Sequence, residues 1–216
     1  AGNRNKPSVT IDIGSKEGQD LIRRMVAHCD VVIENYKVGT LQRYGLGYDD
    51  LKKIKPDLVY CSVTGYGQDG PYKDRAGYDS VLQAMSGIMS ITGEPDDVPG
   101  GGPQKTGMPV SDFSAGLYAT VSMLAALMHR ERTGEGQYID IALLDTSMSL
   151  LPVEILRHLQ LGETPKRLGL KSRNMVPAQA FQCADGQLVL AVGTDDQFRK
   201  LMQGLGRPEI GTDPRF

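Results

Sequence analysis

One carboxylate in the sequence stands where it could act as a nucleophile. Asp112 lies in the segment PVSDFSAG, at the start of a long apolar pattern with helical spacing. A helix N-terminus favours an ionised carboxylate, and the small residues SAG would let a bulky substrate approach it. Asp is also a preferred N-cap residue, so spacing does not choose between a nucleophile and a helix cap. Two later aspartates have structural interpretations, since Asp140 fits a solvated strand residue and Asp145 fits a helix cap.

The histidines and cysteines lack the spacing of a metal site or of a disulfide framework. There are three of each: His28, His129, His158, Cys29, Cys61 and Cys183. No pattern of the CxxC or HExxH kind links them, so we expect structural or surface histidines and no bound metal. An odd number of widely spaced cysteines is typical of a reducing compartment, so we expect a cytoplasmic protein.

The sequence also lacks the glycine motifs that bind nucleotide phosphates. It has no G-x-x-x-x-G-K-[ST] loop, and the glycines of TGYGQDG and PGGGP lack the G-x-G-x-x-G spacing. The G-x-S-x-G signature of hydrolases is missing as well. If the protein is an enzyme, we expect it to work without ATP hydrolysis, a metal or a nicotinamide.

The composition is that of an ordinary globular protein. The chain has 216 residues, of which 40% are apolar and 23% charged, with a formal net charge of −2. This balance argues against a nucleic-acid surface or a polybasic membrane patch, and no apolar run is expected to cross a bilayer. The chain opens without an initiator Met and closes in a turn-like segment, so we expect the interior of a longer protein.

Strand and helix patterns alternate before Asp112, in residues 1–92. The runs SVTIDI, DVVIENY and DLVYCSVTGYG are typical of buried strands, and the segments between and after them have helical spacing. Short apolar strands separated by helices predict a parallel sheet covered by helices, the α/β class. A Gly/Pro-rich loop follows at 93–107, and its length fits either a functional loop or a surface excursion.

The helix after Asp112 is predicted to have one apolar face and to end at Gly134. The residues of that face are Leu117, Val121, Leu124, Ala125 and Met128. A strand, QYIDIAL, and a helical stretch, SMSLLPVEILRHLQLG, come next. The hairpin QAFQC-ADG-QLVLAVG and the helix DDQFRKLMQGLG then depart from the alternation.

This change of pattern predicts two domains. We expect a large α/β domain over residues 1–154, incomplete at its N-terminus, because the alternating strands and helices fall there. A linker is expected over 155–177, and the start of a smaller, incomplete domain over 178–216.

Several segments together resemble the class III coenzyme A transferases, a family that includes formyl-CoA and carnitine CoA-transferases and α-methylacyl-CoA racemases. The resemblance implies a Rossmann-like large domain with a parallel sheet, part of a smaller domain, and an interlocked homodimer. Family members are considerably longer, so the chain resembles their middle portion. The matching segments are NRNKPSVTIDI, DVVIENYKVGTLQRYGLGYDDL, PDLVYCSVTGYGQDGPYKDRAGYDSVLQAMSGIMSITG, GMPVSDFSAGLYA, ALMHRERTGEGQYIDIALLD and PAQAFQCADGQLVLAVGTDDQFRKL.

The resemblance makes Asp112 a covalent nucleophile. In the family, the aspartate of this segment attacks an acyl-CoA thioester and then holds CoA as an aspartyl thioester until an acceptor acid takes it. CoA is a substrate here, and no tightly bound cofactor is implied. The segments ITG and PAQAF look most like those of members acting on dicarboxylic acids. The glycine loop over the site in some members has no clear equivalent, although KSRNMVP occupies a comparable stretch.

The resemblance also implies which residues contact CoA. They are Ile11, Asp12, Ile13, Asn35, Tyr36, Arg43, Ala76 and Gly77. Arg43 could bind a phosphate through two hydrogen bonds, and Ile11 and Ile13 could flank the adenine. The same isoleucines fit plain strand core, and Arg43 fits a solvated helix residue.

Tyr78 and Asp79, in RAGYDSV, are implied to lie beside the nucleophile. Racemase relatives have a histidine where this chain has Tyr78, and that histidine helps to move the α-proton. A tyrosine, with a reference pKa near ~10, is a poorer base at neutral pH than a histidine near ~6.5. We therefore expect CoA transfer. The alternatives are a racemase-type isomerase and an incomplete CoA-binding segment without activity.

Overall fold

A three-stranded parallel sheet forms the centre of the fold in the computed structural model, which describes residues 2–216. The strands are β1 (Val31–Glu34), β2 (Val59–Thr64) and β3 (Tyr138–Ala142), in the spatial order β1-β2-β3. Both pairings are parallel, with Val31 opposite Val59 and Thr64 opposite Ala142. The central strand β2 is almost wholly buried, as expected for a parallel sheet covered on both faces. The predicted α/β class is confirmed.

One face of the sheet is covered by three helices from the first quarter of the chain. They are α1 (Lys16–Val26), α2 (Thr40–Arg43) and α3 (Tyr48–Leu51). The α1 helix starts at Lys16, where the Ser15 hydroxyl caps it by accepting a hydrogen bond from the Gly18 amide at 3.0 Å. The core of this layer consists of Val26, Leu41, Leu46, Leu51, Leu58 and Tyr60.

The opposite face carries the helices that bear the candidate nucleophile. They are α4 (Asp79–Ser86), α5 (Ile88–Ile91), α6 (Val110–Thr133) and α7 (Leu143–Met148). Successive β2 residues point to opposite faces, so Tyr60 joins the first layer and Cys61 the second. The second core consists of Cys61, Leu82, Ala115, Ala119, Ile141 and Leu143.

The helix α6 ends at Thr133 with Gly134 as its C-cap, as predicted, and its predicted apolar face is exposed. Leu117 is 69% exposed, Val121 65%, and Leu124 and Met128 56% each. The alanine face packs against the sheet instead, through Ala115, Ala119 and Ala126. Small side chains allow a close approach between the helix and the sheet, and the large ones then project outward.

The helix α6 departs from the expectation that no segment is long and apolar enough to cross a bilayer. By length and composition, α6 is long and apolar enough to cross a bilayer. The sequence prediction considered unbroken apolar runs, and this helix contains Ser, Thr, Gly and Asp among its apolar residues. The core helix of a globular protein can meet the same criteria, and the alanine face of α6 packs on the sheet.

The predicted first strand, SVTIDI, is wrong. Residues 8–13 have no strand in the structure, and within residues 2–216 the parallel sheet contains only β1, β2 and β3. At the end of this segment the Asp12 carboxylate accepts a hydrogen bond from the Gly14 amide at 2.9 Å, which forms a turn. An alternating pattern produces a strand only where a neighbouring strand pairs with it.

The C-terminal region contains the predicted hairpin and final helix. Its elements are α8 (Pro152–Leu161), β4 (Ala178–Gln182), β5 (Gln187–Ala191), α9 (Asp195–Gly204) and a 3-10 turn at Ile210–Thr212. The strands β4 and β5 are antiparallel, with Phe181 opposite Leu188. The predicted helical stretch SMSLLPVEILRHLQLG is divided, because α7 ends at Met148 and Pro152 starts α8. The predicted linker start at 155 falls inside α8, and backbone without helix or strand runs from 162 to 177.

Candidate active site

Asp112 is not the N-cap of its helix. The helix α6 begins at Val110, so Asp112 is its third residue, and the N-cap is Pro109, which makes no side-chain capping bond. Asp112 is exposed. Together with Pro109, Phe113, Gly116, Leu117 and Thr120 it lines a groove of about 360 Å³. The carboxylate is therefore accessible, and its surroundings are mostly apolar.

The pKa of Asp112 is raised above the ordinary value of an aspartate. Loss of water around the carboxylate is the larger cause, and the negative charge of Asp79 is the second. This direction is opposite to the one that a helix N-terminus alone would favour. A carboxylate that is more basic than usual is a stronger nucleophile in its ionised form.

The first turn of α6 is capped by the Asp79 side chain from α4, and not by the residue that precedes the helix. The Ser111 amide donates to Asp79 Oδ1 at 2.9 Å. The other oxygen, Asp79 Oδ2, accepts from Gln83 Nε2 at 2.7 Å. Because both carboxylate oxygens accept hydrogen bonds, Asp79 positions the residue next to Asp112. Its predicted catalytic role stays a prediction.

A second cavity lies at the carboxyl ends of β1 and β2 and has a volume of about 260 Å³. This edge of an open parallel sheet is where ligands commonly bind. Five predicted site residues line the cavity: Asn35, Tyr36, Ala76, Gly77 and Tyr78. The structure thus brings together residues that are about 40 positions apart in the chain.

Three cations of this cavity were missed from the sequence. Lys37, Lys73 and Arg75 line it, with Asp74 as the single acidic side chain in the lining. Arg75 lies over the ring of Tyr72, 4.0 Å from the ring centroid, which restrains the guanidinium. The charged run KDRAG, immediately before Tyr78, could have indicated two of these cations in the sequence. Cations at this density suit a ligand with several phosphates.

Close backbone contacts shape the wall of this cavity. A Cβ on Gly77 would lie 2.4 Å from the Cα of Gly65, so the two glycines cross where no other residue fits without movement. Gly65 is fixed in turn, because its carbonyl accepts from the Leu144 amide at 3.0 Å. On the other side, Asn35 Nδ2 donates to the Val63 carbonyl at 2.5 Å and ties the end of β1 to β2.

Four of the predicted CoA-contacting residues are not in the lining of the cavity. Ile13 packs against the first core layer, and Asp12 is engaged in its turn. Arg43 is exposed at the end of α2, and Ile11 is half-buried. Their assignment to CoA stays a prediction.

Asp140 is anchored rather than freely solvated. Its Oδ2 accepts from the Gln68 amide at 2.8 Å, which holds the loop after β2, and burial raises its pKa. Asp145 is the third residue of α7, whose N-cap is Ala142, so the expected cap at Asp145 is wrong.

The Gly/Pro-rich loop at 93–107 is folded back on itself. The Gly102 amide donates to the Glu94 carbonyl at 3.2 Å, and the Gln104 amide donates to the Thr92 carbonyl at 2.9 Å. Arg167, whose side chain is only 10% exposed, donates to the Glu94 and Ser90 carbonyls and pairs with Asp96. The loop is therefore tied to the 162–177 connection.

A third cavity, of about 770 Å³, lies in the C-terminal region. It is formed mainly by α9, the segment before β4 and the last residues of the chain, and it shares no lining residue with the strand-end cavity or the Asp112 groove. Part of the KSRNMVP stretch lines it, from Asn174 to Pro177.

Relatives of known activity cover the whole chain. It is 48% identical to a succinate–glutarate CoA-transferase of Agrobacterium fabrum, over 100% of this chain and 53% of that protein. It is 41% identical to a succinyl-CoA:glutarate CoA-transferase of Mus musculus, over 99% of this chain and 48% of that protein. The chain thus spans about half the length of the curated relatives it matches.

A solved structure matches the fold as well. A crystal structure of a CAIB/BAIF family protein from Brucella suis is 47% identical and superposes with a TM-score of 0.85, over 99% of this chain and 56% of that one. The sequence model described as CoA-transferase family III matches residues 1–216. The chain belongs to CoA-transferase family III.

Proposed function

We propose that this chain carries the nucleophile and a CoA-binding cavity of an acyl-CoA:carboxylate CoA-transferase. The observation that carries the proposal is the exposed Asp112 carboxylate in the first turn of α6, beside an apolar groove and with a raised pKa. The relatives named above transfer CoA between dicarboxylic acids, which supports an acyl-CoA donor and a dicarboxylic acceptor of the succinate or glutarate kind.

The first half of the reaction moves CoA onto the enzyme. An oxygen of the Asp112 carboxylate attacks the thioester carbonyl carbon, the C–S bond breaks, and an acyl-aspartyl anhydride and CoA thiolate form. The thiolate then attacks the carbonyl carbon of Asp112. The donor acid leaves as a carboxylate, and the enzyme holds CoA as an aspartyl thioester.

The second half repeats these steps with the acceptor acid. The acceptor carboxylate attacks the aspartyl thioester carbon, which gives a second anhydride and free thiolate. The thiolate attacks the acyl carbonyl of that anhydride, and the new acyl-CoA leaves with the Asp112 carboxylate restored. One thioester is exchanged for another, so no ATP is consumed.

The strand-end cavity is proposed to hold the phosphates of CoA. Lys37, Lys73 and Arg75 supply positive charge there, and the cavity lies at the sheet edge where such ligands bind. Binding energy gained at the phosphates, away from the reacting carbonyl, helps to orient the thioester.

Tyr78 supports transfer over racemisation. A racemase needs a base that removes an α-proton, and a phenol is mostly protonated at neutral pH. Tyr78 is 69% exposed and lines the cationic cavity, so its ring is available to contact CoA.

A homodimer is proposed for the full-length protein. Support comes from the large apolar side chains exposed along α6, since contiguous apolar surface of this kind marks an interaction site. Sedimentation of the full-length protein should give twice the monomer mass, and a monomer at micromolar concentration would contradict this part of the proposal.

The test uses full-length protein in deuterated water. With succinyl-CoA and glutarate we expect glutaryl-CoA to form in proportion to enzyme, and with a chiral 2-methylacyl-CoA alone we expect no deuterium at C2. Deuterium at C2 without an acceptor acid would favour the racemase alternative. Binding of CoA by the full-length protein without either reaction would contradict the proposed transfer activity, and activity of the full-length protein that the 216-residue chain alone lacks would favour the inactive CoA-binding segment.

A further inference from the structure

The side chain of Gln83 is fully buried, with 0% of its surface exposed, yet it is polar at its tip. It lies in α4 and faces the segment 106–111, which leads into α6. A buried amide is costly unless its donors and acceptors are paired, so the pairing shows what the side chain holds.

Both ends of the Gln83 amide are hydrogen-bonded. Its Oε1 accepts from the Thr106 amide at 2.9 Å. The Thr106 hydroxyl lies 3.2 Å from Oε1, but its single proton has a shorter contact, 2.7 Å, to the Met108 carbonyl. Its Nε2 donates to Asp79 Oδ2 at 2.7 Å and to the Met108 carbonyl at 3.3 Å. A backbone amide only donates and a carboxylate only accepts, so these partners fix which end of the amide is oxygen.

These contacts hold the chain just before the nucleophile at three places. Thr106 and Met108 are bound directly by Gln83. Ser111 is bound through Asp79, which Gln83 orients. Asp112 follows Ser111 without a break and makes no capping bond that could orient it independently. The direction of its carboxylate therefore depends on where the segment 106–111 lies.

We propose that Gln83 is a positioning residue for the Asp112 nucleophile, an inference that rests on the proposed function. The amide has the length to reach these groups and carries both the acceptor for the Thr106 amide and the donors for Asp79 and the Met108 carbonyl. Leucine fills similar space without hydrogen bonds, and glutamate brings a second carboxylate against Asp79. Packing of α4 on α6 does not depend on Gln83 alone, because Leu82 and Ala115 share the second core.

The first test compares Gln83→Leu with Val26→Ala in full-length protein. Val26 is a buried residue of the first core layer, on the other face of the sheet. We expect Gln83→Leu to lower kcat by about 100-fold, since a misplacement near 1 Å costs that much, with KM for acyl-CoA changed less than about threefold. Val26→Ala should lower the Tm without this loss of kcat. A kcat within about threefold of wild type in folded Gln83→Leu would overturn the proposal.

A milder pair keeps the test decisive if Gln83→Leu does not fold. Thr106→Val removes the hydroxyl that ties Thr106 to the Met108 carbonyl and touches Gln83 Oε1, and it keeps the amide contact to Gln83. We expect a roughly three- to tenfold lower kcat with unchanged KM. Thr106→Ser retains the hydroxyl and should recover most of that loss. Equal kcat for Thr106→Val and wild type would count against the proposal.

A crystal structure of Gln83→Leu separates this proposal from the proposed function, because it needs no turnover. We expect the segment 106–111 to move by about 1 Å or more relative to the sheet. An unmoved segment overturns the positioning role even if the wild-type enzyme transfers CoA. A wild-type enzyme without transfer activity refutes the proposed function alone.

Discussion

The cavity at the ends of β1 and β2 and the groove beside Asp112 differ in what lines them. The cavity is polar and carries Lys37, Lys73 and Arg75. The groove is mostly apolar, and Asp112 is the one ionisable residue in its lining. Under the proposed function, the recognition of a charged ligand and the making of covalent bonds would therefore take place in separate parts of the site. An apolar site raises the basicity of a carboxylate, whereas a cationic one would lower it.

Two adjacent residues connect these regions. Tyr78 lines the cationic cavity, and the next residue, Asp79, holds the Ser111 amide beside Asp112. A change in the groove should therefore alter kcat, a change in the cavity should alter KM, and a change at the connection should alter both.

The largest effect is expected from Asp112→Asn. The amide cannot form the anhydride, so kcat should fall by roughly 10⁴-fold or more, while the Kd for CoA should stay within about threefold because the cavity is intact. Asp145→Asn is the matched control, since Asp145 is also an exposed aspartate at the third position of a helix. Steady-state kinetics and calorimetry measure the two quantities, and a kcat near wild type for Asp112→Asn would contradict the assignment.

The next largest effect is expected from Gly77→Ala, next to the residues Tyr78 and Asp79 that connect the cavity with the groove. The added Cβ would lie 2.4 Å from the Cα of Gly65, so the backbone before Tyr78 must move. We expect a loss of about 1–3 kcal/mol in the free energy of unfolding, with a lower kcat and a higher KM together.

The control for Gly77→Ala is Gly204→Ala at the end of α9, where no heavy atom lies within 4 Å of the added carbon. Stability there should be kept or slightly raised. Denaturant unfolding compares the two variants. Equal stability of both would show that the contact between Gly65 and Gly77 relaxes easily.

A smaller effect, confined to the cavity, is expected from Arg75→Ala. The loss of one charged hydrogen bond to a phosphate should raise KM for acyl-CoA about tenfold, with kcat unchanged. Arg43→Ala sharpens the comparison, because the family resemblance implies that Arg43 contacts CoA and the structure leaves it outside the cavity lining. A KM raised by Arg43→Ala and not by Arg75→Ala would reverse our identification of the cations that bind CoA.

The smallest effect is a shift in pH dependence for Asp79→Asn. Asp112 must be ionised to attack, so kcat/KM should fall as the pH drops through its raised pKa. Removing the charge of Asp79 removes the second cause of that rise, so the acid limb should move to lower pH. An unmoved acid limb, measured from kcat/KM across the acidic range, would mean that loss of water alone sets the pKa.

The periodicity of apolar residues predicted most of the helices and strands, because each of these has its own spacing of buried side chains along the chain. The predictions failed where the structure of a segment depends on the element that packs against it or pairs with it. Residues 8–13 alternate like a strand, but no strand of the described chain pairs with them. The face of α6 that bears large apolar side chains is exposed, because the alanine face of the helix packs against the sheet instead.

The candidate site was predicted in part. The resemblance implied Asp112 and the five residues that line the cavity, since they lie in distinctive segments, and their roles stay predictions. Gln83 was missed because a glutamine within a helical pattern gives no sign that it is buried. Lys73 and Arg75 were missed because charged residues in a loop resemble an ordinary solvated turn, and only the fold brings them to the ends of β1 and β2.

The central claim is that CoA becomes attached to Asp112, and the attachment site can be identified directly. Full-length protein is mixed with succinyl-CoA without acceptor, treated with hydroxylamine, digested and analysed by mass spectrometry. We predict an aspartyl hydroxamate at Asp112 that is absent without acyl-CoA and absent from Asp112→Asn. A hydroxamate at a different residue, or full turnover with Asp112 unmodified, would contradict the account.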